Sequence, residues 1–286
     1  METVEEIDRR DEDAPSSGES ICVQPGCYLL ELSPDWIVLR ASENIHKLLG
    51  ESHATLIDEP LGEFVHSQAL HDLRNLFSRL SGAIGIARAY SVRLTDDPAL
   101  VDIAFQLSEG RVLLEAVPAP GCFGEHFGSV GGLIAGLSDF AGDALLEGAA
   151  RRMRALTGYD RVTLSCGDER AESSRSRFSA PADARDLPLL IADADARGVE
   201  VFPRAPDETS VHEALMRAPT SDDRGKLRED GIRAMLRVPF TVGQLDGEFC
   251  CESRSPRKPS FELHAAAELF AQMFALRLQL DRAAKH

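Results

Sequence analysis

The stretches Arg233-Ala-Met-Leu-Arg-Val-Pro-Phe240 and Gly247-Glu-Phe-Cys-Cys-Glu252, followed by a helical pattern from Phe261 to about Ala284, decide how this chain folds. The first two are short apolar-rich runs on either side of Gly243-Gln-Leu-Asp246, which is the signature of a hairpin. In the third, Leu263, Ala267, Phe270, Phe274 and Leu278 fall on one stripe. Ser260 stands at its N-cap, and Arg277, Arg282 and Lys285 lie near its C-terminal end, where the helix dipole favours cations. Working backwards, Tyr159-Asp-Arg-Val-Thr-Leu-Ser165 reads as a further strand. A helix precedes it, with Phe140, Leu145, Ala149, Met153 and Leu156 on one face and Gly158 as its stop. A long, polar, proline-containing insertion separates Ser165 from Arg233.

Upstream, Cys27-Tyr-Leu-Leu-Glu-Leu32 and Trp36-Ile-Val-Leu39 read as two strands joined through Ser33-Pro34-Asp35. Ser42 then caps a short helix that Gly50 ends. Ala69 to Leu80 is helical in spacing, and Leu100–Leu107 with Arg111–Val117 forms a second hairpin around Ser108-Glu109-Gly110. Strand, strand, short helix is how a PAS domain begins, and the helix–sheet–helix of the second half is a GAF-like layout. Pro118, Pro120 and a run of glycines mark the boundary. The expected organisation is an acidic disordered tail (1–19), a PAS domain (20–118), a linker (119–137) and a GAF domain (138–286).

The 286 residues suffice for two cores, and with 43% hydrophobic and 27% charged residues the composition is that of a soluble globular protein. No run approaches the length of a membrane span. The N-terminus is acidic where a secretory signal would be basic and then apolar, so a cytoplasmic protein is expected. A net charge of −16 argues against nucleic acid and anionic membranes as partners. Six scattered cysteines give neither a disulfide framework nor a zinc ribbon. His212-Glu213-Ala-Leu-Met216 opens like a zinc-binding helix, but Met216 stands where the second imidazole belongs, so no metal is expected. No phosphate-binding loop and no nucleophile elbow is present. The chemistry is that of a binding or sensing module rather than an enzyme.

Three stretches resemble the PAS-GAF photosensory core of bacteriophytochromes. Leu227-Arg-Glu-Asp-Gly-Ile-Arg-Ala-Met-Leu236, continuing across the hairpin into Cys251-Glu-Ser-Arg-Ser-Pro-Arg257 and the helix from Phe261 to Gln279, resembles the end of that family's GAF domain almost position by position. Ala155-Leu-Thr-Gly-Tyr-Asp-Arg-Val162 resembles its first GAF strand with the preceding helix. Val23-Gln-Pro25 with Tyr28-Leu-Leu30 resembles the start of its PAS domain. Val199-Glu-Val-Phe-Pro203 through Leu215 resembles, in shortened form, the GAF loop that the family's N-terminus passes through. The fold class implied is α+β, a PAS domain followed by a GAF domain, each an antiparallel sheet flanked by helices.

The resemblance implies a linear tetrapyrrole of the biliverdin type as cofactor and light-driven signalling to an output domain. Asp186-Leu-Pro188 looks like the family's Asp-Ile-Pro motif at the pyrrole nitrogens, which carries Asp186 and Pro188 over as bilin contacts. Arg233 falls where the resemblance places an arginine for a propionate, a pairing that suits a guanidinium. Elsewhere the chain departs from the family. A helix bearing a second propionate arginine is absent after Pro188. The two histidines that contact the chromophore fall near Asp223 and at Glu252 or Ser253. Gly26 replaces the histidine after Gln24-Pro25, and Cys22 lies much nearer that pair than the family's attachment cysteine does, which leaves Cys22 and Cys27 as attachment candidates.

These departures imply weakened or lost bilin binding, so the cofactor is either none or a biliverdin-type bilin. The reading is a phytochrome-like sensory module regulating an output or partner protein. Its alternatives are a working red/far-red photoreceptor and a ligand-free interaction scaffold. A homodimer through the C-terminal helix is expected, because its apolar pattern continues to Leu280. No output domain follows His286 in this sequence, so the output is expected either beyond it in a longer chain or in trans.

Overall fold

The computed structural model describes residues 21–79, 85–121, 124–175, 187–204 and 210–284. The expected acidic tail, Cys122 and Asp186 lie outside the described residues.

The first half runs β1 (Cys22–Val23), β2 (Tyr28–Leu32), β3 (Val38–Ser42), α1 (His46–Leu49), α2 (His53–Leu56), α3 (Ser67–Ser78), β4 (Ala87–Val92), β5 (Val101–Ser108) and β6 (Arg111–Pro118). The β2–β3 turn closes locally: Ser33 Oγ accepts from the Ile37 amide at 3.1 Å, and the Trp36 amide donates to the Ser33 carbonyl at 2.9 Å. Trp36 takes a left-handed φ of 68° there, and its ring is buried edge-on against Phe77. The β5–β6 hairpin turns through Glu109 and Gly110, both at positive φ, the geometry that matches strand twist. Helix α3 and the short helices cover one face of this sheet over a core of Leu30, Leu32, Val38, Ile103 and Phe105.

The second half runs α4 (Glu125–Ala135), α5 (Asp143–Thr157), β7 (Arg161–Cys166), β8 (Glu169–Ser174), β9 (Leu190–Ile191), β10 (Val199–Phe202), α6 (Ser221–Glu229), β11 (Ala234–Val242), β12 (Leu245–Ser253) and α7 (Phe261–Ala283). Its antiparallel sheet has the order β8-β7-β12-β11-β9. Helices α5 and α7 pack on one face. Gly158, in the left-handed region, ends α5, with its amide on the Arg154 carbonyl at 2.9 Å. Ser260 Oγ caps α7 by accepting from the Leu263 amide at 3.1 Å.

The stretch 119–137, expected as a linker, contains α4, whose Val130 joins the GAF core together with Leu137 just beyond it. Phe127, Val130, Ile134 and Leu137 recur at helical spacing. Burying them outweighs the low helix propensity of Gly128, Gly131 and Gly132.

The polar insertion supplies β8, β9, β10 and α6, and β10 does not join the GAF sheet. It pairs with β1 and β3, which gives the PAS sheet the order β1-β10-β3-β2-β6-β5-β4. Strand β1 lies between the two arms of the insertion. Val23 pairs with Val199 on one side and bridges Arg217 on the other, and the Cys22 carbonyl accepts from the Ala218 amide at 2.8 Å. Gly198 permits this approach, because a Cβ there would sit 2.6 Å from that of Cys22 and 3.1 Å from that of Ala218.

Candidate functional site

Alternation along β7, β11 and β12 sends Val162, Leu164, Leu236, Val238, Phe249 and Cys251 into the core beneath α5 and α7. It sends Arg161, Thr163, Arg237, Glu248, Cys250 and Glu252 to the opposite face. There Arg161 and Glu252, directly opposed in the ladder, form an ion pair with both side chains buried. Burial raises the Glu252 carboxyl, and the Arg161 guanidinium opposes that shift. Glu252 Oε1 and Thr163 Oγ1 are buried without a hydrogen-bond partner. Arg237 pairs with Glu248 at 2.7 Å and donates to the Leu187 carbonyl at 2.5 Å. Between these groups Met235, Cys250, Ile191, Leu187, Leu227 and Ile232 close up as a small apolar cluster.

The residues singled out in the sequence are held as follows. Arg233 donates to Asp193 Oδ1 at 2.7 and 3.0 Å and pairs with Asp195 at 3.2 Å. The hydrogen bond to Asp193 raises its pKa. Asp223 is the third residue of α6. Its carboxylate accepts from the Thr220 amide at 3.2 Å and hydroxyl at 2.7 Å, while Thr220 Oγ1 accepts from the Asp223 amide, a complete capping box. Ser253 Oγ donates to Asp160 at 3.0 Å. Pro188 is buried. Cys27 is fully buried with Sγ 3.8 Å from Glu115, and its thiol is pushed well up, chiefly by burial and then by that carboxylate. Cys22 is half-buried beside β10. The adjacent Cys250 and Cys251 point to opposite faces, as their strand requires, and burial raises both thiols.

A second cluster lies where the two domains join. Glu115, fully buried on β6, accepts from the Leu215 and Met216 amides, each at 2.8 Å. Burial pushes its carboxyl up to about 7, against the pull of those amides. Gln24 donates to the Leu190 carbonyl at 2.7 Å and accepts from the Ala192 amide at 2.7 Å, so the N-terminal strand is bonded directly into the GAF domain. Arg88 on β4 pairs with Glu268 at 2.8 Å and reaches His264 Nδ1 at 3.0 Å, and burial lowers the His264 pKa to about 4. Sequence reasoning did not single out Glu115, Arg88 or Arg161. A charge inside an apolar strand run, as in Leu113-Leu-Glu-Ala-Val117, was the available signal for Glu115.

Residues 19–119 match the family model of the PAS fold, and residues 142–280 match that of the GAF domain. The chain is a bacteriophytochrome-like PAS-GAF core. A bacteriophytochrome of Pseudomonas aeruginosa is 27% identical over 288 residues, an alignment that takes in 88% of this chain and 38% of that protein. The PAS-GAF core thus spans well under half of that relative. Among solved structures, the chromophore-binding domain of an unusual bacteriophytochrome from R. palustris superposes with a TM-score of 0.74 at 23% identity, covering 95% of this chain and 98% of that one. The chromophore-binding domain of a Stigmatella aurantiaca phytochrome gives 0.72 at 22% identity, over 92% and 98%. These likenesses establish the PAS-GAF fold. Among the described residues no helix is long and apolar enough to cross a membrane, and no three His, Cys, Asp or Glu side chains group to hold a metal ion.

Proposed function

We propose that this PAS-GAF core is a phytochrome-like sensory module whose bilin site has been remodelled so that biliverdin binding is weak or lost. The observation that carries the reading is Arg233. Its guanidinium, the propionate anchor implied by resemblance, is engaged by Asp193 and Asp195 of the chain itself. A propionate would have to compete with two carboxylates carried on the same chain as Arg233. Glu252 adds to this, since its unpartnered oxygen is an acceptor when ionised and meets an incoming acid group with repulsion. Asp223 is committed to its own helix cap, and Cys27 is buried with a raised thiol pKa. The groups at the resemblance positions therefore do not fit a bilin carrying two propionates.

The module works through partners in this reading. Leu269, Met273, Leu276 and Leu280 of α7 are exposed and spaced four, three and four residues apart, the seam of a two-helix contact, while the stripe through Phe270 and Phe274 is spent on the GAF core. A second copy of the chain fits that seam, and an output domain or a partner protein receives the signal.

Expression with a heme oxygenase that makes biliverdin tests the proposal. The purified protein is expected to be colourless above 600 nm, to give no zinc-induced fluorescence in a denaturing gel, and to be a dimer by light scattering. A red-absorbing, photoconvertible protein overturns the remodelled-site reading. Fluorescence that survives denaturation and disappears with Cys22→Ala would assign attachment to Cys22.

A further inference from the structure

One face of the PAS sheet meets the GAF domain, and a row of paired residues crosses it: Arg88 on β4, Ala104 on β5, Glu115 on β6 and Leu29 on β2. Two buried acids of this face are held in different ways. Glu31, two residues from Leu29 and therefore on the same side, pairs with Arg40 at 2.6 Å and Arg111 at 3.0 Å, all within the PAS domain. Glu115 is fully buried and bonds to no cation among the described residues; both of its oxygens reach into the other domain, to the Leu215 and Met216 amides at 2.8 Å each. Arg88, two strands away in the row, is taken by Glu268 at 2.8 Å and His264 Nδ1 at 3.0 Å on α7. Beside Glu115 Oε1 stands Cys27 Sγ at 3.8 Å. A carboxyl sealed off from water without a cation favours its neutral form. Protonated on Oε1, it keeps acceptor capacity for the amides and points its O–H at that sulfur.

We propose that Glu115 is a proton-operated latch between the two domains, neutral when residues 215–216 are closed onto β6 and ionised when they swing away into water. The closed joint holds its carboxyl at about 7 and the hydrated one at its ordinary 4.5, so the closed form binds the proton more tightly. Closure is therefore favoured in full below 4.5, weakens as the pH rises from there to 7, and levels off above it. The other titratable or charged groups on the surrounding elements are Cys27 and Glu31 on β2, Arg88 and Tyr90 on β4, Asp102 on β5, His212, Glu213 and Arg217 on the insertion, and Glu262, His264 and Glu268 on α7. Burial raises Cys27 and Tyr90, and lowers His264 to about 4, so these three stay neutral near pH 7. Burial lowers His212 as well. Glu31 and Glu268 have their arginines, Glu262 accepts from the Gly124 amide at 3.1 Å, and Glu213 is exposed. Asp102 is the second acid that burial raises, and its Oδ1 accepts from the Ser91 amide within the PAS sheet, away from the latch contact. The latch does not depend on whether a bilin binds.

The test follows amide hydrogen exchange of Leu215 and Met216 in the full chain, corrected for the pH dependence of free-peptide exchange and referenced to the β11–β12 ladder amide of Leu236. Between pH 6 and pH 8 their protection is expected to fall about tenfold relative to that reference, the change that carboxyls of 7 and 4.5 require. Glu115→Gln, which has no proton to release, is expected to lose this fall, and Asp102→Asn to keep it. Protection that stays level in the wild type, or falls equally in Glu115→Gln, overturns the latch. A fall that vanishes in Asp102→Asn overturns it too, by assigning the proton to the other acid. Should Glu115→Gln fail to fold, the wild type decides through its amide proton shifts: Leu215 and Met216 bond directly to the carboxyl and are expected to titrate together with a midpoint near 7. Shifts that stay fixed from pH 5.5 to 8.5 overturn the proposal. Absorbance plays no part in these readouts, so failure here is distinct from failure of the remodelled-site reading.

Discussion

On the helix side of the GAF sheet, Phe240, Phe249, Phe270 and Phe274 meet ring to ring at centroid distances of 5.3 to 6.0 Å with no charge among them. On the other side, the alternate residues of the same strands bury Arg161 against Glu252 and set Arg237 against Glu248. One backbone, read at odd and even positions, carries a dry core and a polar layer in which each cation is matched by an acid. The dry face is where stability resides, since apolar area is removed from water without a desolvation penalty. The paired face is a costlier way to fill space, because ions taken from water recover that cost only through good geometry. A face built to receive a charged ligand would keep some of its cations uncommitted. Here both are used internally.

The largest effect that would sharpen this contrast is on the dry side. Phe249→Ala removes the ring that contacts Phe240, Phe270 and Phe274, and is expected to cost about 4 kcal/mol in chemical denaturation. A loss below about 1 kcal/mol would mean that the aromatic cluster is not the core of the domain. On the paired side, Glu252→Ala strands the Arg161 guanidinium in a buried site and is expected to cost about 3 kcal/mol. The double change Arg161→Met/Glu252→Leu is the sharper measurement. It is expected to return to wild-type stability or above, because two apolar side chains need no desolvation. A double variant as unstable as the single one would show that the pair contributes net stability, and the contrast between the faces would break.

The elements that were readable each rest on a local signal. Gly110 and Gly158 mark chain reversals at positive φ, Ser260 caps α7, and the Phe270–Phe274–Leu278 stripe follows helical period. What was not readable is what depends on distant pairings. Strand β10 is four residues inside a polar insertion, and nothing local tells Val199 that its partner is Val23. Glycines made α4 read as linker, because propensity is local and the burial that overrides it is not. At the site, Glu252 was legible as a carboxylate on a strand near the pocket, but its partner Arg161 stands ninety-one residues away in sequence. Asp223 read as a replaced ligand, whereas Thr220 three residues before it had already specified a capping box.

The smallest effect belongs to the rim, where Arg233 meets Asp193 and Asp195 with its side chain 36% exposed. Water and salt screen such a pair, and holding three side chains in one arrangement costs rotamer entropy, so the attraction nearly cancels. Arg233→Ala is therefore expected to leave the denaturation midpoint unchanged within error, at low and at high salt alike. The backbone of Arg233 does the structural work at this position. Its amide donates to the Ser253 carbonyl and its carbonyl accepts from Ala194, and both bonds survive the substitution. If Arg233→Ala instead lowered the midpoint as far as Glu252→Ala, the rim pair would be a structural element of the polar face. The line between a buried ion pair that matters to folding and an exposed one that does not would then have to be redrawn.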